Sequence, residues 1–322
     1  MKITKKWEEP SCNLCNGSDF EVLYEDLTYW EYPGKFRIVK CAKCNLVFTS
    51  PRPKLSEMEK YYESEMYFGR DVEKTDQIND SDNREMHYGP MYEIILSKKK
   101  KGKIFDIGAG TGMLLSKFRE QGWEASGVEL TRGAVRYAEK KYGIKLHRGD
   151  FLEKSIEDKF DVVVLNGALE HLHKPFETLK KARTNLKTNG FILISIPNSN
   201  SFGAKIFGRN WFAWQPPRHL YHFSPETVTQ MLEKAGYRNI RVSHTFDIQN
   251  FYILFQSARY MISPKFKKRS TGGLVNKKDA FRQKFSIKKE VGKAFFKVFS
   301  FIVAKIEPIV KRGEAIIVYA EK

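Results

Sequence analysis

The 322-residue sequence predicts an α/β fold, a doubly wound and mostly parallel sheet preceded by a small separate unit. Three observations carry this expectation. From residue 101 onward, apolar strand-like runs alternate with amphipathic helical runs. The first of those strands enters a glycine-rich turn that opens a helix. All four cysteines fall within the first 50 residues, as two closely spaced pairs.

The leading unit spans residues 1–50. Cys12, Cys15, Cys41 and Cys44 form two C-x-x-C knuckles, and the intervening "FEVLYEDLTYWEYPGKFRIVK" reads as short strands. Four thiolates at this spacing suit one tetrahedral Zn²⁺, with two redox pairs as the alternative. So small a unit cannot hold itself by core burial alone, so zinc here would be structural, with its coordination closed. Residues 51–100 read as a helical connector, and the domain boundary is expected between Pro51 and Asn83.

Residues 101–322 hold the sheet. "KIFDIG" runs into Gly108, Gly110 and Gly112, which let the backbone approach a ligand at a helix N-terminus. Met113 stands where a dinucleotide fingerprint needs its third small residue, and no Lys-Ser/Thr pair follows. Both of those phosphate-binding motifs are therefore excluded. The next strand, "EASGVEL", delivers Glu129, an acid suited to two ribose hydroxyls. "IKLHRGDF" delivers Asp150 and Phe151, suited to the amino group and ring of adenine. "FDVVVLNG" is a continuous buried run ending near Asn166, and "GFILISIPN" follows. "SPET" at Ser224 reads as a helix cap with proline at the first helical position. "RNIRVSHTFD" is a sixth strand.

"DIGAGTG", Glu129, "GDF" and "FDVVVLNGALEHLHKP", in that order, resemble the successive motifs of class I S-adenosylmethionine-dependent methyltransferases over residues 101–247. The resemblance implies a seven-stranded sheet whose last strand is antiparallel, here "GEAIIVYAEK", and S-adenosylmethionine as cofactor. It implies that the loop from Gly108 to Gly112 underlies the methionine part of the cofactor and that Asp106 orients the loop and the amino group. Glu129 would bind the ribose, Asp150 and Phe151 the adenine, and Asn166 would sit near the sulfonium. The ribbon followed by "LVFTSPRP" is similar to a bacterial subgroup often associated with cell-surface polysaccharide or glycolipid biosynthesis.

Two clusters bear on the acceptor. "GALEHLHKP" resembles the E-x-L-E-H segment of ubiquinone-type O-methyltransferases, in which two glutamates and the histidine can hold a divalent metal. Glu170 and His171 match, but Gly167 replaces the first glutamate. The Asn/Asp-Pro-Pro-aromatic motif of base-amine methylation is absent from this place. The second cluster is "NWFAWQPPRHLYHF", in a loop where such sheets bind ligands. Trp211, Trp214, Arg218, Tyr221 and His222 are expected to wall the acceptor, the tryptophans against a sugar or ring and the arginine against a phosphate. The bland alternative is a loop packed on the core. His171 and His219 are the candidate general bases.

The formal charge of +18 is concentrated in residues 248–312, an insertion ahead of the last strand. That segment carries sixteen Lys or Arg against three acids, a net +13. At helical spacing Val291, Phe295, Val298, Phe299, Ile302 and Ile306 share one face. An anionic membrane surface, packing against core or partner, and RNA are the alternative destinations, with RNA disfavoured. No secretory h-region and no spanning stretch is present, so the expectation is a cytoplasmic chain, peripheral on the inner face of the membrane. The expected reaction is O-methylation of a hydroxyl on a sugar, glycolipid, lipid-linked intermediate or other small molecule. An RNA methyltransferase and a non-catalytic S-adenosylmethionine-binding module are the alternatives.

Overall fold

A computed structural model describes residues 6–29, 32–62, 82–244, 248–262, 302, 309 and 311–322. The N-terminal unit contains β1 (Trp7–Glu8), β2 (Phe20–Tyr29), β3 (Tyr32–Cys41), β4 (Val47–Thr49) and β5 (Arg52–Pro53). Strands β2, β3 and β4 form an antiparallel meander, and β1 pairs with β5. The two knuckles close in the same way: Asn16 N–H donates to the Cys12 carbonyl, and Asn45 N–H donates to the Cys41 carbonyl. Asn16 and Asn45 have φ of 58° and 62°, a left-handed turn that asparagine tolerates well.

The connector contributes α1 (Glu59–Tyr62) and α2 (Asp82–Lys98), which bracket residues outside the description. The main sheet then builds from β6 (Lys103–Ile107), α3 (Met113–Glu120), β7 (Glu124–Glu129), α4 (Arg132–Tyr142), β8 (Leu146–Arg148), β9 (Phe160–Asn166), α5 (Pro175–Asn185) and β10 (Leu186–Pro197). After it come α6 (Phe202–Phe207), β11 (Tyr221–His222), α7 (Pro225–Lys234), β12 (Arg238–Ser243), α8 (Ile248–Ile262) and β13 (Ala315–Glu321). The strand order is β12-β13-β10-β9-β6-β7-β8. Only β13 runs against its neighbours, pairing antiparallel with both β10 and β12. This is the doubly wound, seven-stranded arrangement expected from the sequence.

Local chemistry explains the element ends. Ser224 caps α7 through a reciprocal capping box with Thr227, and Pro225 takes the first helical position. Gly143 terminates α4 in the left-handed conformation. Strand β9 is buried along nearly its whole length because helices cover both faces of the sheet.

The N-terminal unit is not a detached module. Strand β11 comes from the far half of the chain, yet it pairs with β4 and completes the ribbon's sheet in the order β11-β4-β3-β2. Thr49 N–H and hydroxyl donate to the Leu220 and His219 carbonyls at 2.9 and 2.8 Å. Cys12, Leu14, Val39 and Phe48 belong to the same buried cluster as Phe105, Val163 and Ile194. The small core that 50 residues cannot supply is therefore shared with the larger sheet.

Residues 248–262 of the expected insertion are helical, as α8, and β13 follows it as expected. The amphipathic helix expected over Val291–Ile306 lies outside the described residues, apart from Ile302. Among the described residues, no helix is long and apolar enough to cross a membrane.

Candidate active site

The carboxyl ends of β6, β7 and β9 meet at a cleft lined by Asp106, Gly108, Gly110, Glu129, Asp150, Phe151, Asn166 and His171. Sequence reading thus places seven of its eight cofactor-binding candidates, and one candidate base, around one cavity. Gly112, the eighth, sits just behind as the N-cap of α3, with φ of 74°. Gly108 has φ of +80°, and a Cβ there would lie 2.8 Å from the Ala168 Cβ, so only glycine lets this loop pass.

The acids of the cleft do different work. The Glu129 carboxylate accepts from Gly110 N–H at 2.9 Å and from Thr131 N–H and Oγ1 at 2.9 and 3.0 Å. It therefore ties the glycine loop to the tip of β7. Asp150 accepts from Leu152 N–H at 2.9 Å and starts the short turn Phe151–Glu153. Lys181 holds that turn from below, donating to the Phe151, Leu152 and Lys154 carbonyls at 2.6, 3.0 and 2.6 Å. Asp106 is buried, and its Oδ1 has no hydrogen-bond partner. Burial and the nearby Glu129 charge push its carboxyl up to about 8. Asn166 Oδ1 is likewise buried and without a partner. Two orphaned acceptors, Asp106 Oδ1 and Asn166 Oδ1, belong to residues of one acid-lined cleft, which suits a ligand that brings donors and positive charge. S-adenosylmethionine, with its ammonium and sulfonium, fits that demand.

At the other wall stands His171. Its Nδ1 lies 3.0 Å from the Arg218 carbonyl and 3.0 Å from the Tyr62 hydroxyl. A carbonyl only accepts, so Nδ1 carries the proton and Nε2 keeps the lone pair. His219 stands behind it, ring centroids 4.6 Å apart and nearly perpendicular. Its Nδ1 donates to the Ala213 carbonyl at 2.7 Å, which again leaves the lone pair on Nε2. Glu170, His171 and His219 bring one donor atom each within 4.8 Å of one another. Burial, with Arg218 adding to it, lowers His171 to about 3, and burial lowers His219 as well. Burial raises Glu170 to about 8, and its Oε2 has no hydrogen-bond partner.

The expected acceptor wall is corrected by the structure. Trp211, Trp214, Arg218, Tyr221 and His222 are buried, and none of them lines the cleft. Trp211 Nε1 donates to Glu314 and Trp214 Nε1 to the Gly208 carbonyl. Arg218 donates to Gln215, and Tyr221 is bonded to Arg52 and to the His173 carbonyl. His222 packs edge-on against Trp214. Both tryptophans belong to one buried cluster with Leu27 and Ile38 of the ribbon, Ala204 of α6 and Ile253 of α8, so the loop is a wedge between these elements. The cleft wall comes instead from Leu55, Met58 and Tyr62 of the connector, with Leu172, His173 and Lys174. No sequence signal marked the connector residues, because an apolar face on a short helix reads as packing.

The four cysteine Sγ atoms also lie within 4.8 Å of one another. Cys12–Cys44 and Cys15–Cys41 are 3.3 and 3.4 Å apart, too far for a disulfide and close enough to share one ion. Burial pushes the Cys12 thiol up to about 11.

Residues 90–242 match the family described as a methyltransferase domain. An uncharacterized protein of Methanocaldococcus jannaschii is 28% identical over 166 residues, covering 51% of this chain and 78% of that protein. A malonyl-[acyl-carrier protein] O-methyltransferase of Halalkalibacterium halodurans is 29% identical over 43% of this chain and 56% of its own length. A ubiquinone biosynthesis O-methyltransferase of a Ruegeria species is 29% identical over 42% and 59%. The chain thus spans less than two thirds of these two named relatives. In fold, it is similar to phosphoethanolamine N-methyltransferase 2 of Haemonchus contortus, with a TM-score of 0.51 at 18% identity over 86% of this chain and 62% of that one.

Proposed function

We propose that the chain is a class I S-adenosylmethionine-dependent methyltransferase and that it methylates a hydroxyl of a sugar, glycolipid or other small molecule, a reading supported by the methyltransferase-domain match and by the O-methyltransferases among its relatives. The observation that supports this reading most is His171, a neutral imidazole whose Nε2 keeps its lone pair, in the wall of the same cleft as the glycine loop and its acids.

S-adenosylmethionine, when bound, supplies an electrophilic methyl group on a sulfonium. The chain's own residues bind, orient and handle the proton. Asp106 and Asn166 offer their unpartnered acceptors to a donor, and Glu129 and Asp150, which line the same cleft, are assigned to the ribose and the adenine. Leu55, Met58 and Tyr62 cover the cleft from the connector side and exclude water. His171 takes the hydroxyl proton at Nε2, while its Nδ1–H stays on the Arg218 carbonyl and fixes the ring. His219 is a positioning residue behind it. Burial disfavours an imidazolium here, and the nearby Glu170 carboxyl is the group whose ionisation would offset the new charge. The acceptor's identity as a hydroxyl compound draws on the two O-methyltransferases among the relatives and on the missing base-amine motif.

We also assign Cys12, Cys15, Cys41 and Cys44 to one structural Zn²⁺, supported by the convergence of their sulfurs.

The test is transfer of label from methyl-labelled S-adenosylmethionine to lysate of the source cells, with wild type and His171→Asn. We expect labelled, ribonuclease-resistant product from wild type. The variant should lose about a hundredfold to ten-thousandfold in rate while binding S-adenosylhomocysteine as before. Label in RNA would overturn the acceptor class. Tight cofactor binding with no transfer would leave a binding module.

A further inference from the structure

His173 lines the cleft and carries a further orphaned acceptor. The side chain is buried, 8% exposed. Its Nε2 lies 2.9 Å from the Pro53 carbonyl of β5. A carbonyl only accepts, so Nε2 carries the proton and Nδ1 keeps the lone pair. Nδ1 is buried and has no hydrogen-bond partner. Burial disfavours a charged ring here, and the Arg52 guanidinium adds to that effect.

The ribbon holds this residue from both ends. Arg52 Nη2 donates to the His173 carbonyl at 3.1 Å, next to the Pro53 carbonyl that holds the ring. The rest of that guanidinium is occupied, with Nε on Glu8 at 2.8 Å and Nη1 on the Tyr221 hydroxyl at 2.9 Å. Strand β5 therefore fixes both the backbone of His173 and the tautomer of its ring.

Asp150 is its neighbour. Both residues line the cleft and also a side cavity of about 290 Å³ that adjoins it. The Asp150 charge reaches the His173 ring, where it works against the effect of burial. One Asp150 oxygen accepts from Leu152 N–H at 2.9 Å, and the other makes no hydrogen bond among the described residues. Two acceptors thus remain at this end of the cleft, a carboxylate oxygen and an imidazole lone pair. The walls beside them, Leu55, Phe151, Leu152 and Leu172, are apolar and suit a flat ring. A hydroxyl brings one donor, a ring carbonyl none. An amino group on a flat heterocycle brings two.

We propose that His173 is a specificity residue that accepts one hydrogen of the cofactor's adenine amino group at Nδ1, beside Asp150, and that Pro53 of the ribbon makes it an acceptor by fixing its tautomer. This rests on the reading of the cleft as an S-adenosylmethionine site.

The experiment is calorimetric titration of the full chain with three ligands. They are S-adenosylhomocysteine, S-inosylhomocysteine, which has a ring carbonyl in place of the amino group, and S-adenosylhomocysteine methylated on that amino nitrogen, which keeps one N–H. Wild type should prefer the first over the second by at least about a hundredfold, and over the third by about tenfold. His173→Leu should cut the preference for adenosyl over inosyl by about tenfold or more. His173→Asn, whose amide oxygen replaces the Nδ1 acceptor, should keep most of it. A purely structural loss would weaken both ligands alike and leave their ratio unchanged. A His173→Leu protein with the wild-type ratio therefore overturns the proposal while leaving the cofactor reading intact. So does wild type that binds the methylated ligand as tightly as the unmethylated one, a comparison that decides the matter even where His173→Leu fails to melt cooperatively. Wild type that binds none of the three overturns the cofactor reading and the proposal together.

Discussion

At Gly108 the backbone takes φ of +80° and passes within van der Waals contact of Ala168. Sequence reading singled out this glycine from the motif around it, and the geometry supplies the reason. Gly108→Val should cost about 2 kcal/mol of stability from the strained φ alone. The displaced Ala168 should also carry Asn166 and His171 out of register, so binding of S-adenosylhomocysteine should be lost beyond the loss of stability. Calorimetric titration beside a urea melt separates the two. Other residues were legible only in kind. His171 and His219 are separate candidate bases in two distant motifs, and the fold brings their rings to 4.6 Å of each other. Their order was not legible: His171 lines the cleft and His219 stands behind it. Tyr62 was invisible, because one tyrosine among several in "EKYYESEMYF" has no pattern that distinguishes it.

At the scale of elements, β11 is the decisive piece. Two residues of a loop, Tyr221 and His222, complete the ribbon's sheet and fix the loop that carries His219. The loop's aromatic residues then serve as core. Tryptophan and histidine signatures of a sugar site and of a buried wedge are identical in composition, so the sequence could not choose between them. The pairing also links the cysteine cluster to the cleft. Cys41 ends β3, whose neighbour β4 pairs with β11. Cys41→Ser should therefore abolish bound zinc and destabilise the whole chain by about 4 kcal/mol or more, rather than unfold a separate module. Zinc content by mass spectrometry and a single denaturant transition check this. Two transitions, with the second as in wild type, would contradict the shared core.

At the scale of the molecule, buried ionisable groups set opposed pH slopes. His171 and His222 sit at about 3, below their ordinary 6.5, because burial disfavours the charged ring. Their contribution is complete above pH 6.5 and is lost as pH falls from there toward 3. Glu170 and Asp106 sit at about 8, raised by burial. Their contribution is complete below the ordinary carboxylate range and is lost as pH rises from about 4 toward 8. Between about pH 4.5 and 6.5 the two slopes cancel, so these four groups give the ligand-free chain a plateau there and a stability that falls as pH rises above 6.5. Glu170→Gln should gain stability over wild type by on the order of 1 kcal/mol per pH unit between pH 5 and 8. Melting temperatures of both proteins across that range check it, and parallel curves would contradict it.

The sequence by itself determined the sheet, its last antiparallel strand, the cap at Ser224, the glycine loop with its acids, and the grouping of the four cysteines. Each of these is written in local terms: an apolar period, a turn residue, a fixed spacing between ligands. Only the tertiary structure decided that the ribbon shares a core with the sheet, that the connector roofs the cleft, and that the tryptophan loop faces inward. Those outcomes depend on which apolar surface finds which partner. Burial is non-directional, so an apolar residue in the sequence shows that it will be covered but not by what.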